Sequence, residues 1–389
     1  MAIGSTVQAK DAVERAISGA GDDLIRLSHG IHERPETAFE EHYAAGRVAE
    51  ELAKHGFEIE EGVGGLPTAI RATFGQGPLT FLLCAEYDAL PDIGHACGHN
   101  VIAASSTGAA IGLSEVADDL GVEIVVLGTP AEESGGGKIK LLEAGAFDSA
   151  NAALMVHPAP YDVVAPPIMA VDWIDVRYEG REAHASAFPE EGINAADAMV
   201  IGQVAIGLLR QHLPSSVRVH GFVSHAGSAA NVIPALATGP YMVRTEHLSA
   251  LEPLRERVAA CFEAGAVATG ATLELSRPQP PYAHLEHDPD LGSLYRANAL
   301  RLGRRFHEGP VAPVATDMGN VSLRVPTLHP FIGIGSLPAV NHQPGFAKAS
   351  VSTSADQAVV DGATALAWTI VDATQGEVRR KLLQAGEEA

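Results

Sequence analysis

The sequence predicts an α/β protein in which a mainly parallel sheet is interrupted by a smaller α+β insertion. Three observations carry this. Apolar, β-branched runs at residues 68–73, 79–84 and 122–128 alternate with stretches of helical periodicity. Proline-rich breaks, Val163-Val-Ala-Pro166-Pro167 and Arg277-Pro-Gln-Pro-Pro281, bracket a region of different pattern. That region reads strand-helix-strand-strand-helix-strand.

Taken in order, helical periodicity covers residues 7–34 and stops before Pro35, then resumes over 40–55. The three strand runs follow. Between the second and third, residues 101–120 are small, apolar and helical in pattern, with Asn100 as the expected N-cap. Strands alternating with helices indicate a parallel sheet, whose ligands bind beyond the carboxyl ends of the strands. In the insertion, 170–178 alternates as a half-buried strand, 194–211 is helical, 216–223 and 237–245 are strands, 248–269 is helical and 271–276 is a last strand, the ferredoxin-like order. A helix over 289–306, short strands and a closing helix over 355–373 complete the chain. The expected organisation is a catalytic, metal-binding domain from residues 1–169 and 284–389, with residues 170–283 inserted.

Composition narrows the function. The net charge of −22 comes from 26 basic and 48 acidic residues with no basic cluster, which disfavours nucleic acid and anionic membranes as partners. A chain with 46% hydrophobic and 19% charged residues is globular rather than disordered. Its three cysteines, Cys84, Cys97 and Cys261, form no disulfide framework and fit a reducing cytosol, so a cytoplasmic location is expected. The opening Met1-Ala-Ile-Gly-Ser-Thr6 lacks the basic and apolar regions of a signal peptide, and no apolar run approaches the ~20 residues that span a bilayer.

The chemistry concentrates after the strands. Cys84-Ala-Glu-Tyr-Asp88-Ala-Leu-Pro-Asp-Ile-Gly-His95-Ala-Cys97-Gly-His99-Asn100 puts carboxylates, imidazoles and a thiol into one loop. Thiolate, imidazole and carboxylate are the donors a transition metal takes. Alone, Cys97-Gly-His99 reads as a buried cysteine and a capping histidine; beside Asp88 and His95 it reads as a site. Glu132-Glu133 follows the next strand and precedes Gly135-Gly-Gly137. Such a pair can divide the work of metal-assisted hydrolysis, one carboxylate holding metal and its neighbour moving a proton. It also reads as a solvated acidic loop. His157 ends an apolar run before Pro158, and His342 lies in Asn341-His-Gln-Pro-Gly345. In the insertion, His184 could polarise a carbonyl while Asn231 and Arg244 could hold a carboxylate; each is equally an ordinary surface residue. No Gly-x-Ser-x-Gly elbow, phosphate loop or dinucleotide fingerprint is present.

The motifs Asp88-Ala-Leu-Pro, Gly94-His-Ala-Cys-Gly-His-Asn100, Thr129-Pro-Ala-Glu-Glu133, Met155-Val-His-Pro158, Ala183-His-Ala-Ser186, Asn231-Val-Ile-Pro234 and Asp317-Met-Gly-Asn-Val-Ser322 occur in that order. Together they resemble the aminoacylase and carboxypeptidase G type of dinuclear metallopeptidase. The nearest branch is the amidohydrolases that include aminobenzoyl-glutamate hydrolases, auxin-conjugate hydrolases and aminoacylase-1-like-2 dipeptidases. The resemblance implies a phosphorylase/hydrolase-like catalytic domain and a ferredoxin-like insertion that serves as lid and makes a homodimer. It implies two divalent ions, with Mn or Zn the first candidates and Co or Ni also compatible, held by Cys97, His99, Glu133, His157 and His342. Cys97 would bridge the ions, Glu132 would be the general base and acid, and Asp88 would orient a ligand. His184, Asn231 and Arg244 would line the substrate side. One departure is Glu86, which stands where many members place a histidine two residues before the aspartate.

The function implied is a metal-dependent amidohydrolase that cleaves a small N-acyl, aminoacyl or aminobenzoyl amino acid or dipeptide with activated water and Glu132 as base. Two alternatives remain. The same centre could break an unusual C–N bond, in aromatic amine displacement or a hydroxamate amide. The chain could instead be an inactive partner subunit of a hetero-oligomeric hydrolase, which the complete donor set opposes.

Overall fold

The computed structural model describes residues 5–388. Residues 1–4, which belong to the segment lacking signal-peptide character, lie outside the described residues. The chain divides into two compact units. The first is built from the chain up to Pro167, from Leu285–Pro313 and from the chain after Asn320; the second from Ile168–His284 and Val314–Gly319.

The first unit begins with helix α1 (Thr6–Glu33), capped by the Ser5 side chain, which accepts the Gln8 N–H. Val13, Ile17, Leu24, Leu27 and Ile31 form its buried stripe, spaced as one helical face demands. Helix α2 (His42–Lys54) follows, then β1 (Glu58–Glu61), β2 (Ile70–Gly75) and β3 (Leu79–Glu86). Every residue of β3 is buried, which is why it reads as a continuous apolar run rather than an alternating one.

Helix α3 (His99–Ser114) is buried from His99 to Leu113. It starts earlier than the sequence pattern suggests, capped by Gly98 in the left-handed region. Asn100 is therefore inside the first turn and not the N-cap. Its Nδ2 donates instead to Ser28 Oγ on α1 and to the Ser350 carbonyl, both at 2.9 Å. The expected helix to residue 120 breaks after Ser114 and ends as the short α4 (Ala117–Leu120). Then come β4 (Val122–Thr129), α5 (Gly137–Glu143), β5 (Ala152–Leu154) and β6 (His157–Ala159).

The second unit contains β7 (Ala170–Glu179), α6 (Ala195–Arg210), β8 (Arg218–Gly221), β9 (Leu236–Thr245), α7 (Leu251–Thr269) and β10 (Thr272–Ser276). Its strands form an antiparallel sheet in the order β10-β7-β9-β8. Val176, Tyr178, Met199, Val243, Val258 and Phe262 pack into its core. Asn194 caps α6 by accepting the Ala196 and Asp197 N–H groups. Where the unit begins and ends, buried Asp172 is paired with Arg277 at 2.9 Å.

The chain continues through α8 (Pro289–Arg301), α9 (Met318–Ser322), β11 (Thr327–Leu328), β12 (Phe331–Gly333), α10 (Pro344–Ala349), α11 (Thr353–Ala373) and α12 (Gly376–Glu388). Helix α8 stops five residues short of the expected end, before Gly303 at φ 84°. Helix α12, strongly charged in sequence, lies beyond the helix expected to close the chain. The main sheet runs β1-β2-β4-β3-β5-β11, and β12 pairs with β6 as its own parallel ribbon. Contacts of β3 with β4 and β5, and of β5 with β11, are parallel, whereas β1-β2 and β2-β4 are antiparallel. The sheet is thus mixed, parallel through its centre and antiparallel on one flank. The acidic Glu58-Ile-Glu-Glu61 of β1 gave no apolar run by which to foresee that flank. Among the described residues no helix is long and apolar enough to cross a membrane.

Candidate metal centre

The loop after β3 and the loop after β4 meet because those strands are parallel neighbours in register, with Glu86 opposite Thr129. Their carboxyl ends therefore deliver Asp88 and Glu132-Glu133 to one place. The β5–β6 segment brings His157 to it, and the loop before α10 brings His342.

Asp88 ties the two loops together. Its Oδ1 lies 3.0 Å from His99 Nδ1, and its Oδ2 accepts the Glu133 N–H at 2.9 Å. With Nδ1 donating to Asp88, His99 turns Nε2 into the centre. There it stands 3.6 Å from Glu86 Oε2, 3.8 Å from Glu133 Oε1 and 3.9 Å from Glu132 Oε2. His157 is fixed in the same manner: Nδ1 donates to the Pro158 carbonyl at 2.9 Å, leaving Nε2 at 3.6 Å from Cys97 Sγ. His342 Nε2 is 3.5 Å from Glu133 Oε1, and its backbone N–H donates to the Ala96 carbonyl. Asn341 Nδ2 donates to the Pro158 carbonyl at 3.2 Å and sits 3.8 Å from Cys97 Sγ, binding this last loop to the centre.

Between Cys97 and His99 only glycine fits. Gly98 has φ +80°, and a Cβ there would lie 2.6 Å from Pro158 Cγ. The small residue lets the backbone pass against Pro158 while the Cys97 thiol and the His99 imidazole reach the same group.

Ligand-type atoms gather in three overlapping groups: Cys97, His99 and His157; Cys97, Glu133 and His342; and Glu86, His99 and Glu132, each within 4.8 Å. The adjacent glutamates, in the turn that follows Ala131, fall into different groups. All five residues expected to hold metal are thus brought together, with Asp88 beneath them and Glu132 beside them. His95 is not among the donors. It is buried next to His32 instead, and burial with the nearby His99 charge pushes it down to about 3, so it stays neutral.

The charges fit a cation. Burial raises the Cys97 thiol, but the His157 charge and hydrogen bonds from His157, His342 and His99 outweigh it and hold the thiol well below its usual value. Burial likewise opposes charge on His99, and Asp88 more than reverses this. His342 is raised to about 11 by hydrogen bonds to Cys97 and Glu133, while burial and the Cys97 charge lift Glu133 to about 7. Protons are shared here among groups that together offer one thiolate, three imidazoles and a carboxylate. Two buried atoms facing inward, His99 Nε2 and Glu133 Oε1, lack a partner at close hydrogen-bonding geometry: Glu86 Oε2 stands 3.6 Å from the first and His342 Nε2 3.5 Å from the second. The donor set and these open acceptor positions fit divalent transition metals.

Sequence reasoning named Glu86 but missed its partner. Glu86 and Lys138, both fully buried, pair at 2.5 Å. The lysine gives the acid in the departing position a fixed partner. Lys138 lies 52 positions from Glu86 at the start of α5, so no local pattern revealed it. The expected substrate residues lie in the second unit. His184 is exposed and accepts the Ala187 N–H on Nδ1, which places its proton on Nε2. The Asn231 carbonyl accepts the Ala185 N–H, joining the two loops that carry these residues. Arg244, on β9, lies with Nε 3.4 Å from His220 Nε2.

Residues 82–364 match Peptidase family M20/M25/M40. The Xaa-Arg dipeptidase of Mus musculus is 38% identical over 93% of this chain and 88% of its own length. A p-aminobenzoyl-glutamate hydrolase chain of Escherichia coli (strain K12) is 29% identical over 73% of this chain and 64% of its own. Among solved structures, the YXEP protein of Bacillus subtilis, a dinuclear metal binding peptidase from the M20 family, superposes with a TM-score of 0.69. It is 22% identical and covers 91% of this chain and 99% of its own.

Proposed function

The chain belongs to peptidase family M20/M25/M40, and from that premise we propose that it is a metal-dependent amidohydrolase of small N-acyl, aminoacyl or aminobenzoyl amino acids or dipeptides. A dipeptide with a basic second residue is the first substrate to test, since the mouse relative is an Xaa-Arg dipeptidase and this chain is itself strongly acidic. The observation that carries the reading is the Asp88 carboxylate, which holds a donor imidazole with one oxygen and the loop of the glutamate pair with the other.

Cys97, His99, Glu133, His157 and His342 would hold two divalent ions, Mn or Zn before Co or Ni. When bound, these ions polarise the amide carbonyl and acidify water. Glu132 accepts the proton of the attacking water on a carboxylate oxygen and returns it to the leaving amine nitrogen. Asp88 keeps His99 in one tautomer and orientation. His184, with its Nε2–H outward, donates to the substrate carbonyl, and Asn231 and Arg244 hold the substrate carboxylate.

The second unit is assigned as lid and dimerisation domain. Val200, Val204 and Leu208 are exposed at intervals of four residues on α6, and β8 is an edge strand of the sheet. An apolar stripe and an open edge each suit symmetric pairing with a second copy. A cytoplasmic location fits the three free thiols.

The test is a hydrolysis screen of protein reconstituted with Mn or Zn against Xaa-Arg, Xaa-Lys, N-acetyl and aminobenzoyl amino acids, with metal per chain measured alongside. Hydrolysis of one class at close to two metals per chain supports the proposal. Full activity in strong chelator would sink it. Light scattering that shows an active monomer would remove the dimer.

A further inference from the structure

The loop joining α1 to α2 contains a carboxylate that takes no part in the proposed hydrolysis. Glu41 is fully buried. Its Oε1 accepts two backbone N–H groups, from Phe39 at 3.0 Å and from Ala131 at 2.9 Å. Its Oε2 accepts the Thr68 hydroxyl at 2.8 Å. The Thr68 carbonyl is held in turn by the Tyr87 hydroxyl.

Both amides on Oε1 belong to non-glycine residues in the left-handed region, Phe39 at φ 65° and Ala131 at φ 60°. That conformation is disfavoured for a residue with a Cβ and persists where the surroundings impose it. Ala131 immediately precedes Glu132. Its carbonyl accepts the N–H groups of Gly136 and Gly137, so residue 131 is where the loop closes on itself. The Phe39 ring fills the space a side chain at Gly135 would take, since a Cβ there would lie 2.5 Å from Phe39 Cε2. The same α1–α2 loop reaches the other side of the centre: the Glu36 carbonyl accepts the Ala89 N–H at 2.8 Å, next to Asp88. One short loop thus braces both site loops. Glu41 is its polar anchor, 90 positions from the amide it holds.

We propose that Glu41 is a positioning residue for proton transfer: by holding the Ala131 amide, it fixes the strained turn from which Glu132 reaches the reacting water. This rests on the reading that Glu132 moves the proton. A carboxylate suits the task because three donors converge on it and it accepts at both oxygens. Glutamine retains one oxygen for the two amides, and the Thr68 hydroxyl can turn to accept from its NH₂. Alanine leaves all three donors without an acceptor.

The experiment compares the metal-loaded protein with Glu41→Ala, Glu41→Gln and Glu132→Gln. It reads kcat and KM, metal per chain, and amide hydrogen exchange over residues 130–137 with and without metal. Glu41→Ala should lower kcat about 10- to 100-fold, the scale of a misplaced catalytic group, with KM little changed. Its metal content should hold, because Asp88 still binds the Glu133 amide, while exchange over 130–137 rises by about tenfold or more, as expected when a local opening becomes easier. Glu41→Gln should restore most of kcat and protection. Wild-type kcat in folded Glu41→Ala overturns the proposal, as does a loss that only follows metal content or folded fraction. If Glu41→Ala does not fold, Glu41→Asp decides: its carboxylate falls one methylene short of the Ala131 amide and should lower kcat, and it should cost less beside Ala131→Gly, since glycine takes the left-handed turn without strain. Equal cost in both backgrounds overturns the proposal. Full activity of Glu132→Gln would instead remove the premise, whereas an inactive Glu132→Gln beside a fully active Glu41→Ala would overturn this inference alone.

Discussion

The loops after β3 and β4 in the first unit and the loops around His184 and Asn231 in the second are built from similar residues, yet they differ in how firmly each side chain is placed. In the first unit Cys97, His99, Glu132 and His157 are no more than 8% exposed. Asp88, Asn341 and the Gly98–Pro158 contact restrict this cluster from further directions. In the second unit His184 and Asn231 lie on the surface, and their loops are joined by backbone bonds. Histidines beside small residues therefore mean different things in the two places. One set is buried and restrained from several sides; the other stands at the surface, the His184 ring held from within its own turn.

The sharpest way to break this contrast is Glu132→Gln. It should lower kcat by about 10²–10⁴-fold, the usual share of general acid–base catalysis, while metal content and thermal midpoint hold. Near-normal turnover would remove the distinction between Glu132 and Glu133. Lys138→Met probes the buried foundation. Leaving Glu86 as an uncompensated buried charge should destabilise the protein by about 3–5 kcal/mol in chemical denaturation, and Glu86→Gln in the same chain should recover much of that loss. A cost below about 1 kcal/mol would mean that the pair behaves like one at the surface. Asp88→Asn retains the shape but gives up the charge that orients His99, and metal affinity measured by competition with a chelator should fall about 10- to 100-fold. Asn231→Ala should show the smallest effect. Loss of one substrate hydrogen bond predicts KM raised about 2- to 10-fold with kcat nearly unchanged. Stability should shift by no more than about 0.5 kcal/mol, as at exposed sites generally.

The same difference explains what the sequence made legible. Cys97-Gly-His99 and Glu132-Glu133 are readable because their partners sit within one or two residues, and because the parallel register of β3 and β4 makes strand ends neighbours. His342 stands in a weak local motif, and only the fold shows it facing Glu133. Glu41 and Lys138 look like ordinary charged residues on helix ends, since the groups they serve are far along the chain. Asn100 misled for the opposite reason. It has the chemistry of a cap, but a left-handed glycine had already started the helix. Local propensity places elements to within a few residues; long-range hydrogen bonds assign the polar ones their work.

The pairing of β5 with β11 and of β6 with β12 has a consequence for synthesis. Ala153 is parallel to Thr327, and His157 to Phe331. At about 5–20 residues per second, translation takes roughly 9–35 s to travel from the first strand of each pair to the second. Through that interval one edge of β5 and the strand carrying His157 wait for partners that the ribosome has not yet made. The second unit lies in between, and all four strands of its sheet emerge before β11 does. A nascent chain stalled before residue 327 should therefore present a folded insertion beside an incomplete sheet, the stage at which a chaperone would find the most to hold.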